Sequence, residues 1–530
     1  MRSTFGGIEI SKRSLFSHQA ALTTTGHNVA NANTRGYSRQ VVNFVAAKPL
    51  EAVGMMRSNI PGQSGQGVEF TSITRIREQF LDGQFYNENK SLGEWSIRND
   101  TLEKIEAIIN EPTDTGIRQV VENFWNSWQE LSKNPDNLTA RSVVKESAIA
   151  LTDAFNHTAK QLNDLSSDLT DNINVKVIQI NTAAQQIAEL NQEIFRVEGL
   201  GNDANDLRDQ RDVLLDDLSK VINVNVTETD SGYNVRMGNI QLVEGRNVVT
   251  QFTAQTLEQA YTSKDLASGE AFGMIVSRDS FVASYRNELN TMIRALATGD
   301  TEVTLPKGAV IPAGTQIGTK VYNGTIEQRT LTEPLKTTVK GFNGLHSLGY
   351  ALTNGEAKQG GVFFQSKDGS NPITAENISV SPDIVNNVEN IASAMRTYLD
   401  PADNKVKVVK GNNDLALLMA GLRSTKFDFS TSSDAGNVVA LNGGTLDEFF
   451  RAVVGQLGVQ TQEATRQMAN QKILVEQVES RRQSVSGVSM DEEMANMIKF
   501  QHAYNAAARA LTVQDEILDK VINGMGVVGR

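Results

Sequence analysis

The 530-residue sequence predicts a mainly α-helical, elongated multidomain protein whose middle domains are rich in β-structure. Three observations carry that reading. Met490, Met497, Tyr504, Leu511, Leu518 and Met525 recur every seven residues near one end, and Ile8, Leu15, Leu22 and Val29 do so near the other. A helical periodicity runs from 137 to about 198. Residues 299–337 turn instead to Thr, Val, Gly and Pro.

A seven-residue repeat draws a nearly straight stripe along an α-helix and asks for a partner helix. On the C-terminal stripe Met494, Ala508 and Ile522 thicken the line, with Phe500, Ala507 and Val521 on its other flank. Ser489 followed by Asp491, Glu492 and Glu493 starts the helix with a capping hydroxyl and acids at the positive end of the dipole. Gly524 and Gly526 end it, at a length of roughly 50 Å. The N-terminal stripe is narrow, because Ser11, Ser14, His18, Ala21 and Thr25 beside it are small or polar. So thin a line does not hold a lone helix in water. The N- and C-terminal helices are therefore expected to pair in a coiled-coil-like core, with each other, with other copies, or both. The plain alternative is a terminal pair that closes one globular core.

Between the ends the pattern changes several times. Asn31, Asn33, Thr34, Gly36 and Tyr37 stop the first helix and turn the chain, and 41–46 alternates as a strand. Residues 50–70 read as loop. Leu81, Phe85, Leu92, Trp95, Leu102, Ile105 and Ile109 trace one helical face up to Pro112, and Ile117 to Leu131 trace another up to Pro135. In the long helix Ile173, Ile180, Ile187 and Ile194 form one series. Leu162, Leu169, Ala183, Leu190 and Val197 form a second, with Lys176 as its polar member. An acidic helix at 204–220 returns. Residues 221–275 read as β, 279–297 as helix, 339–348 and 384–399 as helix, with strands near Phe363 and 406–409. Helix resumes after Gly443 and continues to about Ser484.

The expected organisation has five parts. Residues 1–60 are a terminal helix and hinge loop. Residues 70–278 are a helical stalk with a β segment, paired antiparallel with a returning helix at 444–486. Residues 279–443 are outward-facing mixed domains carrying a small inserted β subdomain at 299–337. Residues 487–530 are the C-terminal helix.

Composition narrows the function. A net charge of −12 argues against a general binder of nucleic-acid phosphates. With no cysteine, disulfides, thiolate metal sites and a cysteine nucleophile are excluded. The first residues lack the apolar core of a signal peptide and no run is long enough to span a bilayer, so neither cleaved-signal export nor membrane insertion is expected. His18, His27, His157, His346 and His502 show no metal-ligand spacing and read as solvated or packing residues. Gly62, Gly65 and Gly67 lack the Lys-Ser/Thr of a phosphate loop. Trp125 and Trp128 continue an apolar face and read as core. The acid pairs Asp216-Asp217 and Glu492-Glu493 read as charge facing water. No catalytic, cofactor or metal site is assigned. An enzyme lacks clustered catalytic groups. A secreted adhesin or coiled-coil surface protein using the 299–337 insertion is the alternative to a self-assembling structural subunit.

The leader LFSHQAALTTTGHNVANANTRGYSRQ resembles the N-terminal motif of bacterial flagellar axial proteins, and the tail NMIKFQHAYNAAARALTVQDEILDKVIN resembles their C-terminal motif. The GYSRQ ending and NDLRDQRDVLLDDLS at 205–219 resemble the hook-associated proteins of the hook–filament junction. The resemblance implies a structural flagellar subunit whose termini form the inner core of a tube, with the middle domains facing outward. It implies self-assembly into a layer, the hook protein and a second junction protein as neighbours, a dedicated export chaperone on the C-terminal helix, and type III export to the extracellular flagellum. It assigns the assembly interface to the two seven-residue stripes. Asn31, Asn33, Thr34, Gly36 and Tyr37 fall in the axial motif, and the hinge is expected there, around Gly36 and Tyr37. The first ~30–50 and last ~30–40 residues are expected to be loosely held in a free monomer.

Overall fold

The computed structural model describes residues 5–49, 65–109, 116–353, 355–430 and 439–524. It opens with α1 (Gly6–Ala30), β1 (Gln40–Ala46) and β2 (Val68–Arg75). Four helices follow: α2 (Gln79–Ile109), α3 (Ile117–Lys133), α4 (Leu138–Gly199) and α5 (Asn205–Val221). β3 (Asn225–Thr229), β4 (Gly232–Met237), β5 (Ile240–Glu244) and β6 (Asn247–Val248) form an antiparallel meander. Then come α6 (Ala254–Thr262), α7 (Glu270–Val276) and α8 (Ala283–Thr298), the last two joined by a π-helical stretch, Ser277–Val282.

Short pieces make up the middle. They are β7 (Asp300–Leu305), β8 (Thr315–Ile317), β9 (Lys320–Tyr322), α9 (Ile326–Arg329), β10 (Leu335–Lys340) and α10 (Gly341–His346). β11 (Tyr350–Thr353), β12 (Glu356–Gln359), β13 (Phe364–Ser366), β14 (Ile378–Val380) and α11 (Pro382–Asn386) continue the chain. β15 (Thr397–Leu399), β16 (Val406–Val408), α12 (Asp414–Gly421), β17 (Phe427–Asp428) and β18 (Gly443–Gly444) complete the region. Two long helices end the described chain, α13 (Leu446–Ser486) and α14 (Met490–Gly524).

The chain divides into two compact units. One comprises Met1–Trp95, Asn174–Phe272 and Met468–Arg530. Its core draws on Ile180, Ile187 and Ile194 of α4, Leu215 and Leu218 of α5, and Val235, Met237 and Leu242 of the meander, all buried. Asn191 fastens the meander to α4 by donating to the carbonyl oxygens of Tyr233 at 3.0 Å and Gly245 at 2.5 Å. Lys176, the polar member of the second α4 series, pairs with Glu270 at 2.6 Å.

The other unit comprises Ser96–Ile173 and Gly273–Gln467. Its nucleus is aromatic. Phe124 and Trp128 meet Phe342, Phe363 and Phe364 with ring centroids 5.2 to 6.3 Å apart, so the tryptophans are core residues. The buried Arg141 guanidinium donates to the carbonyl oxygens of Pro135, Glu389 and Ile391 and to the Ser393 hydroxyl. That set leaves a charged side chain with its donors matched inside the protein.

Several expectations are corrected. Residues 254–262 and 270–276 are helical, not β: Thr253 and Thr256 cap α6 reciprocally, and α7 begins at Glu270 rather than near 279. The expected helix at 384–399 is only α11, which gives way to a 3-10 turn at Val388–Asn390 and then β15; the Glu389 and Ile391 carbonyls are spent on Arg141 rather than on helix bonds. The helix at 339–348 is the shorter α10, and α12 was not foreseen. The 299–337 region is not a self-contained insertion. β7 and β10 share one sheet with β17 and β18, in the order β10-β7-β17-β18. The 50–70 loop closes earlier than expected, because β2 begins at Val68 and pairs antiparallel with β1 from Gln40 opposite Arg75 to Ala46 opposite Val68. Gly62 and Pro112 lie outside the described residues.

Candidate assembly interface

α1 and α14 pack together antiparallel. Near the start of α1 a Cβ on Gly7 would lie 2.8 Å from the Gln514 side chain. In the middle the His18 ring is 6.3 Å from Phe500 and 5.6 Å from Phe44. At the end Asn28 donates to Glu493 at 3.0 Å. His18 is a packing residue, and burial holds its pKa below the usual histidine value.

The predicted stripes lie along this seam but are not enclosed. Ile8, Leu15, Leu22 and Val29 are half-buried, as are Met497, Tyr504, Leu511 and Leu518. Met490 is exposed, and Met525 lies outside the described residues. Full burial falls elsewhere: on Ser11, Ser17, Ala21, Thr24, Thr25 and Asn28 of α1, and on Glu493 and Ala507 of α14. Small side chains let the backbones approach closely, but they enclose little apolar area. On the face of α14 away from α1, Ile498, Val513 and Ile517 are 49 to 53% exposed, and Met494 and Val521 beside the stripe are 49 and 43% exposed. So the pair does not close a globular core.

The turn after α1 docks on α5. Asn31 donates to the His27 carbonyl oxygen at 3.1 Å, and the Thr34 hydroxyl donates to Asn31 Oδ1 at 3.1 Å. Asn33 is exposed. Gly36 has φ +79°, and a Cβ there would sit 2.0 Å from the Val213 side chain. Arg35 forks onto Asp217 at 2.5 and 3.4 Å, the Ser38 amide donates to Asp209 at 3.0 Å, and the Gln40 side chain donates to Asp206 at 2.8 Å. Gly36 and Tyr37 therefore sit in a seated turn, and the two sequence segments that carry the internal resemblance face each other. Beside them a cleft of about 710 Å³ has Leu190, Val213 and Leu214 in its floor and Glu189, Glu193 and Asp206 among its lining acids.

Behind the turn lies a buried charge cluster. Arg75 bonds Asp209 at 2.6 Å and Asp212 at 2.9 Å. Arg77 forks onto Asp82 at 2.9 Å through both nitrogens, and Arg482 forks onto Asp216 at 2.9 and 2.7 Å. Burial works against the Arg77 charge, but Asp212 and Asp82 more than offset it and hold its pKa above the usual arginine range. Two expectations fail here. Asp216 and Glu493 do not face water; they are 7% and 2% exposed. On α2 the fully buried side chains before Trp95 are Asp82, Tyr86 and Asn89, while Leu81, Phe85 and Leu92 are only half-buried.

Sequence reasoning missed Asn28, Arg39 and Glu493. Asn28 is 1% exposed. Its amide donates to the Gln40 carbonyl oxygen at 2.9 Å and to Glu493, and its oxygen accepts from the Gln40 amide at 3.0 Å and the Tyr37 hydroxyl at 2.7 Å. Arg39 donates to Glu493 at 2.8 Å and Glu492 at 2.7 Å, and its amide bonds the Ser486 carbonyl oxygen at 2.9 Å. A lone asparagine beside an apolar seven-residue line was the available signal. Among the described residues no group of His, Asp and Glu is placed to hold a metal ion, and no helix is long and apolar enough to cross a membrane.

The profile described as "Flagellar hook-associated protein FlgK helical domain" matches residues 102–300, and "Flagellar basal body rod FlgEFG protein C-terminal" matches 480–524. The flagellar hook-associated protein 1 of Bacillus subtilis is 35% identical over 547 aligned positions, covering 100% of both chains. That of Salmonella typhimurium is 27% identical, covering 95% of this chain and 97% of the relative. The solved flagellar hook junction protein FlgK from Burkholderia pseudomallei superposes with a TM-score of 0.47 at 13% identity, over 77% of this chain and 100% of that one. The full-length identity to the Bacillus protein decides the matter: the chain belongs to the flagellar hook-associated protein 1 family of structural flagellar proteins.

Proposed function

We propose that the chain builds the layer joining hook to filament, and that it does so through α1 and α14. The observation that supports this is the helix pair itself. Two long helices pack together while burying fully only a few small or polar side chains, and they leave Ile498, Val513 and Ile517 open as a row on the far face of α14. An uncovered apolar row of that length is a surface for other chains. On this reading the residues of the two stripes become interior when copies stack, and the middle domains face outward.

The same reading places the hook protein on one side of the layer and a second junction protein on the other. It also includes type III export to the flagellum and a chaperone that shields α14 beforehand. The family resemblance and the exposed α14 row support these partners. The turn at 31–37 is the joint between axial helices and body. Its seated geometry makes it a joint that sets an angle rather than a free hinge. The 299–337 region shares its sheet with β17 and β18, which offers no support for a detachable adhesive module.

The test is polymerisation of purified protein onto isolated hooks, seen by electron microscopy. Leu511→Asp places a charge on the seam. The expected result is protein that folds but does not add to hooks, and cells with hooks and no attached filaments. Normal swimming by that variant would remove α14 from the mechanism.

A further inference from the structure

The seven-residue repeats of α1 and α14 raise a physical problem. Sliding one helix along the other by seven residues, about 10 Å, brings the same apolar classes face to face again. Met497, Tyr504, Leu511 and Leu518 are interchangeable at that level of chemistry. The joint between α13 and α14 is residues 487–489, and three extended residues reach about 10 Å. With one unwound helical turn, the connection does not by itself forbid a slip. Something else must choose the register. In heptad-repeat pairs that choice falls to a buried polar residue that finds its partner in only one alignment.

We infer that Asn28 and Glu493, with Arg39, are the register lock of the terminal helix pair. The inference rests on the proposed role of this pair in assembly and names the residues that align it. Asn28 is suited to the task because its amide has two donors and two acceptor positions, and all four are used. Three of those bonds hold the chain where it leaves the turn, at Tyr37 and at the backbone of Gln40. The fourth reaches α14. Glu493, 2% exposed, is met by Asn28 on one oxygen and Arg39 on the other. A slip toward either end would carry Glu493 away from both partners and leave a buried carboxylate and a buried amide unmatched. No neighbouring heptad of α14 repeats it: one repeat on, the position is Phe500, and the next is Ala507.

Asn28 is thus a positioning residue, and its effect is read as alignment rather than as stability. The chain has no cysteine, so cysteine pairs report cleanly. Three full-length reporters carry G7C with Q514C, A507C or V521C, which correspond to the observed register and a one-heptad slip either way. They are treated with a short thiol cross-linker. The unaltered lock gives the 7–514 product alone. Asn28→Leu or Glu493→Leu loses that product to 7–507 or 7–521, and combining the two changes nothing further, because they are one lock. Glu493→Gln, isosteric and keeping one acceptor for its two donors, gives the shifted products in smaller share. A wholly 7–514 pattern in every folded variant, with helix content unchanged by circular dichroism, overturns the lock. If the register shifts but cells of the variant still join filaments to hooks, the lock stands and the assembly role of the pair falls instead.

Discussion

Arg482 and Asp216 stand 266 positions apart and meet in a two-pronged salt bridge, 2.9 and 2.7 Å, with side chains 8 and 9% exposed. The bond joins the last third of α13 to α5 inside the unit that carries the terminal helices. A buried pair of this kind adds little over apolar packing but is costly to break from one side. Arg482→Leu leaves Asp216 without its fork. The expected loss is about 3–5 kcal/mol, read as a lower urea midpoint for this unit. The double variant Arg482→Leu with Asp216→Leu recovers much of that loss.

Gly36 is the position where the turn is seated on α5. Gly36→Ala meets two obstacles at once: φ is +79°, and the new Cβ falls 2.0 Å from Val213. The expected cost is about 1–3 kcal/mol, with faster amide exchange across residues 34–40. Adding Val213→Ala relieves the collision and leaves the backbone strain, so the rescue is partial.

His346 is wholly buried, its Nδ1 on the Gly361 carbonyl oxygen at 2.7 Å and its Nε2 accepting from the Ala392 amide at 2.9 Å. Burial lowers its pKa to about 4. The folded value lies below the unfolded one, so the neutral ring favours the fold above pH ~6.5, and that stability is lost as pH falls toward 4. The full effect is roughly 3 kcal/mol. Denaturant titrations from pH 7 to 4 should show it in the unit built from Ser96–Ile173 and Gly273–Gln467, and His346→Gln should flatten the slope.

Glu288 of α8 works in the opposite sense. It is 5% exposed and accepts one bond, from the Ala440 amide at 2.9 Å. Burial raises its pKa to about 7. Its contribution is complete below the unfolded value near 4.5 and is lost as pH rises through 7. Glu288→Gln is therefore expected to be more stable than the parent at pH 8 and no more stable at pH 4. Comparing thermal midpoints at the two pH values checks the sign.

These residues also show what the sequence disclosed. α1, α3, α4 and α14 were legible because their apolar residues repeat at helical spacing, while capping and breaking residues mark where such helices begin and end. α6 and α7 were not, since 254–276 lacks a long apolar period and its start depends on a threonine capping box. The charged sites were illegible for a different reason. Whether Asp216 or Glu493 faces water depends on Arg482 and on Asn28, which lie 266 and 465 positions away. Nothing local to either carboxylate announces that partner. The apolar stripes lie along the α1–α14 seam, but the burial was misjudged: the side chains fully enclosed on α1 are its small or polar ones.

The open row on α14 has a consequence for how a layer grows. Each molecule occupies one edge of its longest terminal helix with its own α1 and presents the other. On the proposed reading, an arriving copy that covers this edge brings an identical bare edge with it, so every addition recreates the conditions for the next. A copy whose Ile498, Val513 and Ile517 were replaced by polar residues would dock and then offer nothing to its successor. A small proportion of such molecules, mixed with the normal protein, would cap the growing structure and halt it far out of proportion to their number.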